Sequence, residues 1–538
     1  MKIKKIAALL LAAAMALSLA ACHGGKMGKA GKTINYYLSD DPSSLDPQIA
    51  SDPSSLIVVQ SLFEGLTRLD AKETAQPGVA EKWEQNADAT QFTFHLRKDA
   101  KWPGKAGAVK ASDFVFAFRR ALDPATGSST CLQMYCIKNA REIHEGKLPV
   151  NNLGVEAPDT KTLVVNLAYP CPDFPKMAAS AVFMPCNETF FDSTEGRYGL
   201  ETDEILGNGP FKIDGSYGWT HGKSINLTKS STYAGRTVPL PSAVNFTIGL
   251  TAADLSNPVE AMAAASLDAA PIPASKISEA EAKDCTISSV QDTTWGLGFN
   301  VQSSPFSNEK VRAAFLQAIS RSAVLAHLPG DSSAAENIIL PNTELDGKPY
   351  RSAAGGPFYL KQSANASLLL NEGLQEAGVK DISSITVYCP NDSADKMMCN
   401  EMIAAWNRTF NNYFNIKPMD ASRIVGAVQS GDYSIAVYPV TPSSDGPYAF
   451  LSMFLSTSSD NPAGLKDAGY DALVESAQGE SGQQAAQGYA AAERYLNEKA
   501  IFYPLYYGKS YYAVAKGVTG IVFHPYGGGV DFINAGKG

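Results

Sequence analysis

Several kinds of chemistry are missing from this chain. None of its 8 cysteines stands in a Cys-x-x-Cys pair. A zinc knuckle or a thioredoxin-like dithiol uses that spacing, so both lose support. Its 6 histidines include no His-Glu-x-x-His, the helical pattern of zinc hydrolases. Gly-x-Ser-x-Gly is also absent, and with it the nucleophile elbow. Positive charge is outnumbered, 45 Lys and Arg against 54 Asp and Glu, for a formal charge of −9. An acidic body argues against a nucleic-acid partner. Beyond the first residues, no apolar run approaches the roughly 20 residues that cross a bilayer. There is no internal repeat.

Two further motifs are incomplete. Gly218-Trp219-Thr220-His221-Gly222-Lys223-Ser224 resembles a phosphate loop but is one residue short between its glycines. Successive backbone N–H groups then cannot wrap a phosphate, and a polar hairpin turn is expected instead. Ser393-Ala394-Asp395-Lys396 and Ser459-Asp460-Asn461 match two elements of penicillin-recognising serine enzymes, but Lys-Thr-Gly is missing. No enzyme activity and no cofactor are expected.

What is present begins at the N-terminus. Lys2, Lys4 and Lys5 precede a stretch from Ile6 to Leu19 that is apolar except for Ser18. The chain then reads Leu19-Ala20-Ala21-Cys22. This is the layout of a secretory signal, and Leu-Ala-Ala-Cys resembles a lipobox, in which the cysteine is acylated after cleavage. Residues 1–21 are therefore expected to be removed. Three lysines and no acid leave with them, so −9 becomes −12. The Gly-rich 22–32 segment is expected to be a flexible tether. The protein would be extracytoplasmic, held on a membrane only by lipid, in a periplasm or on the outer face of the cytoplasmic membrane.

A chain of this length exceeds one ordinary core, and two or three lobes are expected. Strands and helices are interspersed, giving an α/β class. Gln91 to Arg97 alternates like a half-buried strand, and Leu163 to Leu167 reads as another. Ala111-Ser112-Asp113 opens an amphipathic helix that stops before Asp123-Pro124. Further helices are predicted from Ser307-Asn308, over Leu368–Ala377 ahead of Gly378, and over Gln483–Lys499. A strand follows from Ile501 to Tyr507, its Pro504 confined to an edge or bulge. Cys131, Cys136, Cys171, Cys186, Cys285, Cys389 and Cys399 cannot all pair within one chain. The neighbours 131–136, 171–186 and 389–399 are conceivable disulfides, and so are scattered free thiols.

Longer blocks carry a resemblance. They are Ser44-Leu45-Asp46-Pro47, Ser61 to Leu66, Pro77 to Glu84, Phe92 to Trp102 and Val109 to Pro124. Gly207 to Phe211, Phe299-Asn300, Pro305 to Asn308 and Val311 to Ala314 extend them. Together these resemble the extracytoplasmic oligopeptide- and dipeptide-binding proteins of ABC importers, solute-binding family 5. Most of these residues have structural readings. Trp83 and Trp102 are expected core anchors, and Arg97 and Asp113 fold-holding polar groups.

The resemblance implies a two-lobed, periplasmic-binding-protein-like type II fold with an extra subdomain, hinged around a ligand cleft. Lobe I would comprise 33–66, 206–290 and 500–538, the extra subdomain 67–205, and lobe II 291–499. A monomer would capture short peptides by lobe closure and deliver them to permease and ATPase subunits. Main-chain hydrogen bonds would hold an extended peptide.

In the family an aspartate of a Gly-Trp-x-x-Asp-type segment anchors the peptide amine. Here Val440 replaces the tryptophan and Ser443 stands at the aspartate. Asp445 lies two residues on and either substitutes or serves a Ser-Asp-Gly-Pro turn. Other substrate-binding candidates are Asp52, Thr294, Trp295, Tyr438 and Tyr507. Trp295 would stack on ligand or fill the interlobe seam, and Asp52 would meet a cation or cap a turn. These departures leave open a non-peptide solute, such as a metal chelate or glycan; a peptide-sensing or adhesion lipoprotein without an importer is a separate alternative.

Overall fold

The computed structural model describes residues 31–249, 257–330, 332–380, 382–383, 385–442, 444–458, 461–526 and 529–538. Cys22, Ser443 and Ser459-Asp460, named above, lie outside them.

One 12-stranded sheet runs through both lobes. In lobe I, Thr33–Leu38 lies parallel to Ala243–Ile248, and Ser224–Lys229 continues the sheet antiparallel. Ile34, Tyr36 and Leu38 alternate inward, as one buried face of a strand requires. Tyr36 meets Phe532 edge-on, with ring centroids 5.3 Å apart. In lobe II, Thr386–Pro390 lies between Asn415–Met419 and Ile435–Val440. Two cores flank that part of the sheet. One gathers Phe299, Phe306, Phe315 and Trp406, the other Tyr438, Phe454, Tyr470 and Phe502.

Two long antiparallel strands join the lobes, Thr286–Phe299 and Phe502–Val514. They pair from Thr286 opposite Val514 to Gly298 opposite Phe502. The register shifts twice. Between Gln291 and Thr293, Asp292 is the extra residue; between Trp295 and Gly296, the partner changes from Tyr506 to Pro504. Bulges bend and twist a strand pair, so the connection between lobes is kinked where it crosses. Pro504, which has no N–H for the ladder, sits at the second shift as expected.

The extra subdomain carries a separate four-stranded antiparallel sheet, in the order Ala80–Gln85, Gln91–Leu96, Thr162–Asn166 and Val155–Glu156. Phe92, Phe94 and Leu96 point inward. Helix Ala111–Leu122 ends at Asp123 before Pro124, as its sequence dictates. Phe92 and Phe94 pack on Phe174, which opens the short helix Phe174–Met177.

The family-like motifs are fold-holding. Arg97 donates to Glu64 at 2.6 Å and to the Gly78 carbonyl at 3.2 Å. Asp113 accepts from the Trp102 indole at 2.8 Å. Arg120 grips both carboxylate oxygens of Asp46, each at 2.6 Å. Trp102 is a core anchor, but Trp83 is only half-buried, at the margin of the core. The segment read as a polar turn is a hairpin, with Trp219–Thr220 paired to Ser224–Ile225. Ser393 is the first residue of helix Ser393–Phe410, not part of a loop. All seven described cysteines are free thiols. Among the described residues no helix is long and apolar enough to cross a membrane, and no group of three His, Cys, Asp or Glu could hold a metal.

Candidate functional site

The space between the lobes is built on the kinked crossing. Bulging at Asp292 lifts its carboxylate out of the ladder, where it accepts from Ser510 Oγ at 2.5 Å and from Thr293 Oγ1 at 2.9 Å. Thr293 Oγ1 also lies 3.0 Å from Thr441 Oγ1, on the loop that follows Ile435–Val440. Burial raises the pKa of Asp292, and the two hydroxyls oppose the shift.

That loop ends in a turn. Asp445 Oδ1 accepts from the Gly446 N–H at 2.8 Å, Gly446 takes a positive φ of 104°, and Pro447 opens a short helix. The expected turn chemistry is therefore present. The other oxygen of Asp445, Oδ2, is 2.5 Å from Lys176 Nζ, and both side chains are largely buried. Burial alone would lower the Lys176 pKa, but Asp445 outweighs it and leaves the ammonium group more basic than usual. Lys176 belongs to the extra subdomain, where buried Phe174 fixes its helix.

Lobe I supplies a third wall. Val522–Phe523 pairs with Val530–Asp531, and Tyr526 stands in the connection, packed against a lobe II core. Its hydroxyl is buried without a hydrogen bond of good geometry, as is Thr343 Oγ1. Burial and then the fields of Asp445, Asp292 and Glu73 push the Tyr526 pKa up. Tyr512, stacked 4.1 Å from Phe523, is pushed up to about 12 by burial and by Asp292. Asp292 and Asp445 are thus both near enough to Tyr526 to raise its pKa, and Thr441 is bonded to Thr293 beside Asp292. Two further contacts join subdomain to lobe II: Arg141 with Glu475, and the Asp346 N–H with Asp173 at 2.9 Å.

The remaining sequence candidates are placed as follows. Thr294 stands between Val440 and Tyr507 in register, fully buried, and donates to the Ile338 carbonyl at 2.7 Å. Tyr438 and Val440 are core residues, Tyr438 packing on Phe502 at 5.3 Å. Tyr507 is buried beside them, its pKa pushed up to about 12 by burial. Trp295 fills the seam: it stacks on Tyr506, rings 5.9 Å apart and nearly parallel. Asp52 caps helix Pro53–Leu62, accepting from Ser55 N at 2.8 Å and from Ser43 Oγ at 2.6 Å. Its carboxylate is committed to serines.

Asp292, Lys176 and Tyr526 escaped the sequence reading. Asp292 carried one signal, an acid inside a strand of β-branched residues, where acids are depleted. Lys176 carried none, because its partner is 269 residues away.

A groove of about 940 Å³ lies elsewhere, on the extra subdomain beside Asp46 and Arg120. Its position is remote from the crossing strands.

Known proteins match this architecture along nearly its whole length. The dipeptide-binding protein DppE of Bacillus subtilis is 27% identical over 541 residues, covering 98% of each chain. The oligopeptide-binding protein OppA of the same organism is 26% identical, covering 95% of this chain and 94% of its own. The substrate-binding domain of an oligopeptide ABC transporter from Bacillus anthracis superposes with a TM-score of 0.78 at 25% identity, covering 95% of this chain and 100% of that one. These relatives are binding proteins rather than enzymes. The model of bacterial extracellular solute-binding proteins, family 5 Middle, matches residues 74–462, and the chain belongs to that family.

Proposed function

We propose that this protein captures short peptides between its lobes and delivers them to an ABC permease, with ATP hydrolysed by separate subunits. It is exported, acylated at Cys22, and tethered through residues 22–32 as a monomer. The lobes are those drawn above, 33–66 with 206–290 and 500–538 against 291–499, with 67–205 as the extra subdomain. The observation that carries the reading is the buried carboxylate of Asp292 on the strands that join the lobes, held by Ser510 and Thr293. Thr293 also meets Thr441 of the neighbouring loop, an arrangement suited to a ligand with a charged end. Relatives named for dipeptides and oligopeptides point the same way. Closure is hinge motion about the two bulged strands.

A second reading has one observation in its favour. Asp445 is already paired to Lys176, and Val440 is buried where the family's tryptophan would stand. A non-peptide solute would need neither.

Native mass spectrometry of the full chain in mild detergent, challenged with a random peptide library, decides between them. Captured masses matching mixed short peptides support the first reading. An intact fold that holds no peptide at tens of micromolar excludes it.

A further inference from the structure

Asp292 is one of the few buried acids of this protein without an ion pair among the described residues. It is only 7% exposed. Its recorded partners are hydroxyls, Ser510 and Thr293. Among the described residues no lysine or arginine offsets the cost of burying it. Asp46, Glu64, Glu493 and Asp531 are matched by cations, Arg120, Arg97, Arg351 and Arg68 in turn. Asp113 and Asp395 share with Asp292 the lack of an ion pair but stand on helices, not on the strands that join the lobes. A buried carboxylate without a cation is expensive and is generally paired or neutralised.

Position gives that cost a purpose. Asp292 is the extra residue of the first bulge, on the strands that link the lobes. Bulges commonly re-aim a side chain at a site. Thr293, which donates to Asp292, also meets Thr441 on the loop that leads to Asp445, and both carboxylates raise the pKa of Tyr526. Asp445 is occupied by Lys176, a residue of the protein itself.

We propose that Asp292, not Asp445, is the anion that receives the ammonium group of the captured ligand. The inference rests on the peptide reading above and names the chemistry of one end of its ligand. Ser510 and Thr293 hold the carboxylate oriented. An ammonium group arriving there completes a charge-assisted hydrogen bond inside a water-poor space. The group belongs to a peptide N-terminus or to a lysine side chain.

The test offers the full chain, in mild detergent, a random peptide library in three forms. One has free N-termini, one is acetylated at the N-terminus only, and one is acetylated at N-termini and lysines. The wild type is expected to hold the fully acetylated form about tenfold to a hundredfold more weakly than the free form, the worth of one charged hydrogen bond. Asp292→Asn is expected to hold the two alike, and Asp292→Glu, which keeps the charge, to retain part of the discrimination. Binding of lysine peptides from the partly acetylated form places the ammonium on a side chain; its loss places it at the N-terminus. Either result supports the proposal. Equal capture of free and fully acetylated peptides by the wild type overturns it while leaving peptide capture intact. Discrimination that survives in Asp292→Asn also overturns it; if that variant does not fold, undiminished discrimination in Ser510→Ala, which removes a hydroxyl that orients Asp292, overturns it instead. Capture of no peptide in any form removes the peptide reading and this inference together.

Discussion

Lys176 and Asp445 stand 269 residues apart in the chain and 2.5 Å apart in space, Nζ to Oδ2. One lies in helix Phe174–Met177 and the other in the turn after strand Ile435–Val440, so the pair ties together segments far apart in the chain. Removing either partner leaves the other largely buried and unpaired, which costs more than the pair itself contributes. Lys176→Met and Asp445→Asn are each expected to lower stability by about 1–3 kcal/mol. The double variant should cost less than the sum, with a coupling of about 1–2 kcal/mol in a double-mutant cycle. Urea unfolding of the four proteins measures this. Strict additivity would mean that the two groups do not interact in solution.

Arg120 tests the fold rather than the cleft. Its guanidinium spans both oxygens of Asp46 and lies over the ring of Phe191, 4.6 Å from its centroid. Lysine keeps the charge but has neither the fork nor the plane. Arg120→Lys is therefore expected to destabilise by about 2–4 kcal/mol, close to a charge-removing change. A loss below about half a kcal/mol in chemical denaturation would show that charge alone suffices there.

Much of the fold could be read from the chain because its signals are local. Asp123-Pro124 stops a helix, Gly378 caps another in the left-handed conformation, and the alternation of Phe92, Phe94 and Leu96 sets a strand face. Arg97 and Asp113 were legible as fold-holding because each stands in a dense family-like block. The cleft was less legible. Thr294, Tyr438, Val440 and Tyr507 come together in register, yet burial turns them into wall rather than surface. Burial at a strand crossing depends on lobes distant in sequence, and no window of residues reports it. The same holds for Lys176, whose role exists only once its helix meets the turn that carries Asp445.

Gly298 faces Tyr438 across paired strands. A Cβ there would lie 2.3 Å from the tyrosine hydroxyl and 2.4 Å from its ring. Both strands are buried, so neither can move aside without disturbing Phe502 and Phe454. Gly298→Ala is expected to destabilise by about 1–3 kcal/mol through overpacking. Combining it with Tyr438→Val, which removes the clashing ring, should recover part of that loss. If the second substitution instead adds its full cavity cost, the clash is not the cause.

Asp395 provides a pH-dependent test. It lies in the first turn of helix Ser393–Phe410, where the helix end favours a negative charge. Burial nevertheless dominates and pushes its pKa up to about 6, although Tyr506 donates a 2.9 Å hydrogen bond that opposes the shift. A carboxyl with a raised folded pKa binds its proton more tightly in the fold than in the unfolded chain. Its contribution to stability is complete below the unfolded value of 3.8 and is lost as pH rises through about 6. Above that pH the charged form is buried at a cost of about 3 kcal/mol. Asparagine keeps the acceptor for Tyr506 and cannot ionise. Asp395→Asn should therefore be more stable than the wild type at pH 7.5 by about 1–3 kcal/mol, the advantage shrinking toward pH 4. Denaturation midpoints at both ends of that range measure it. An advantage independent of pH would assign the effect to packing rather than to the buried charge.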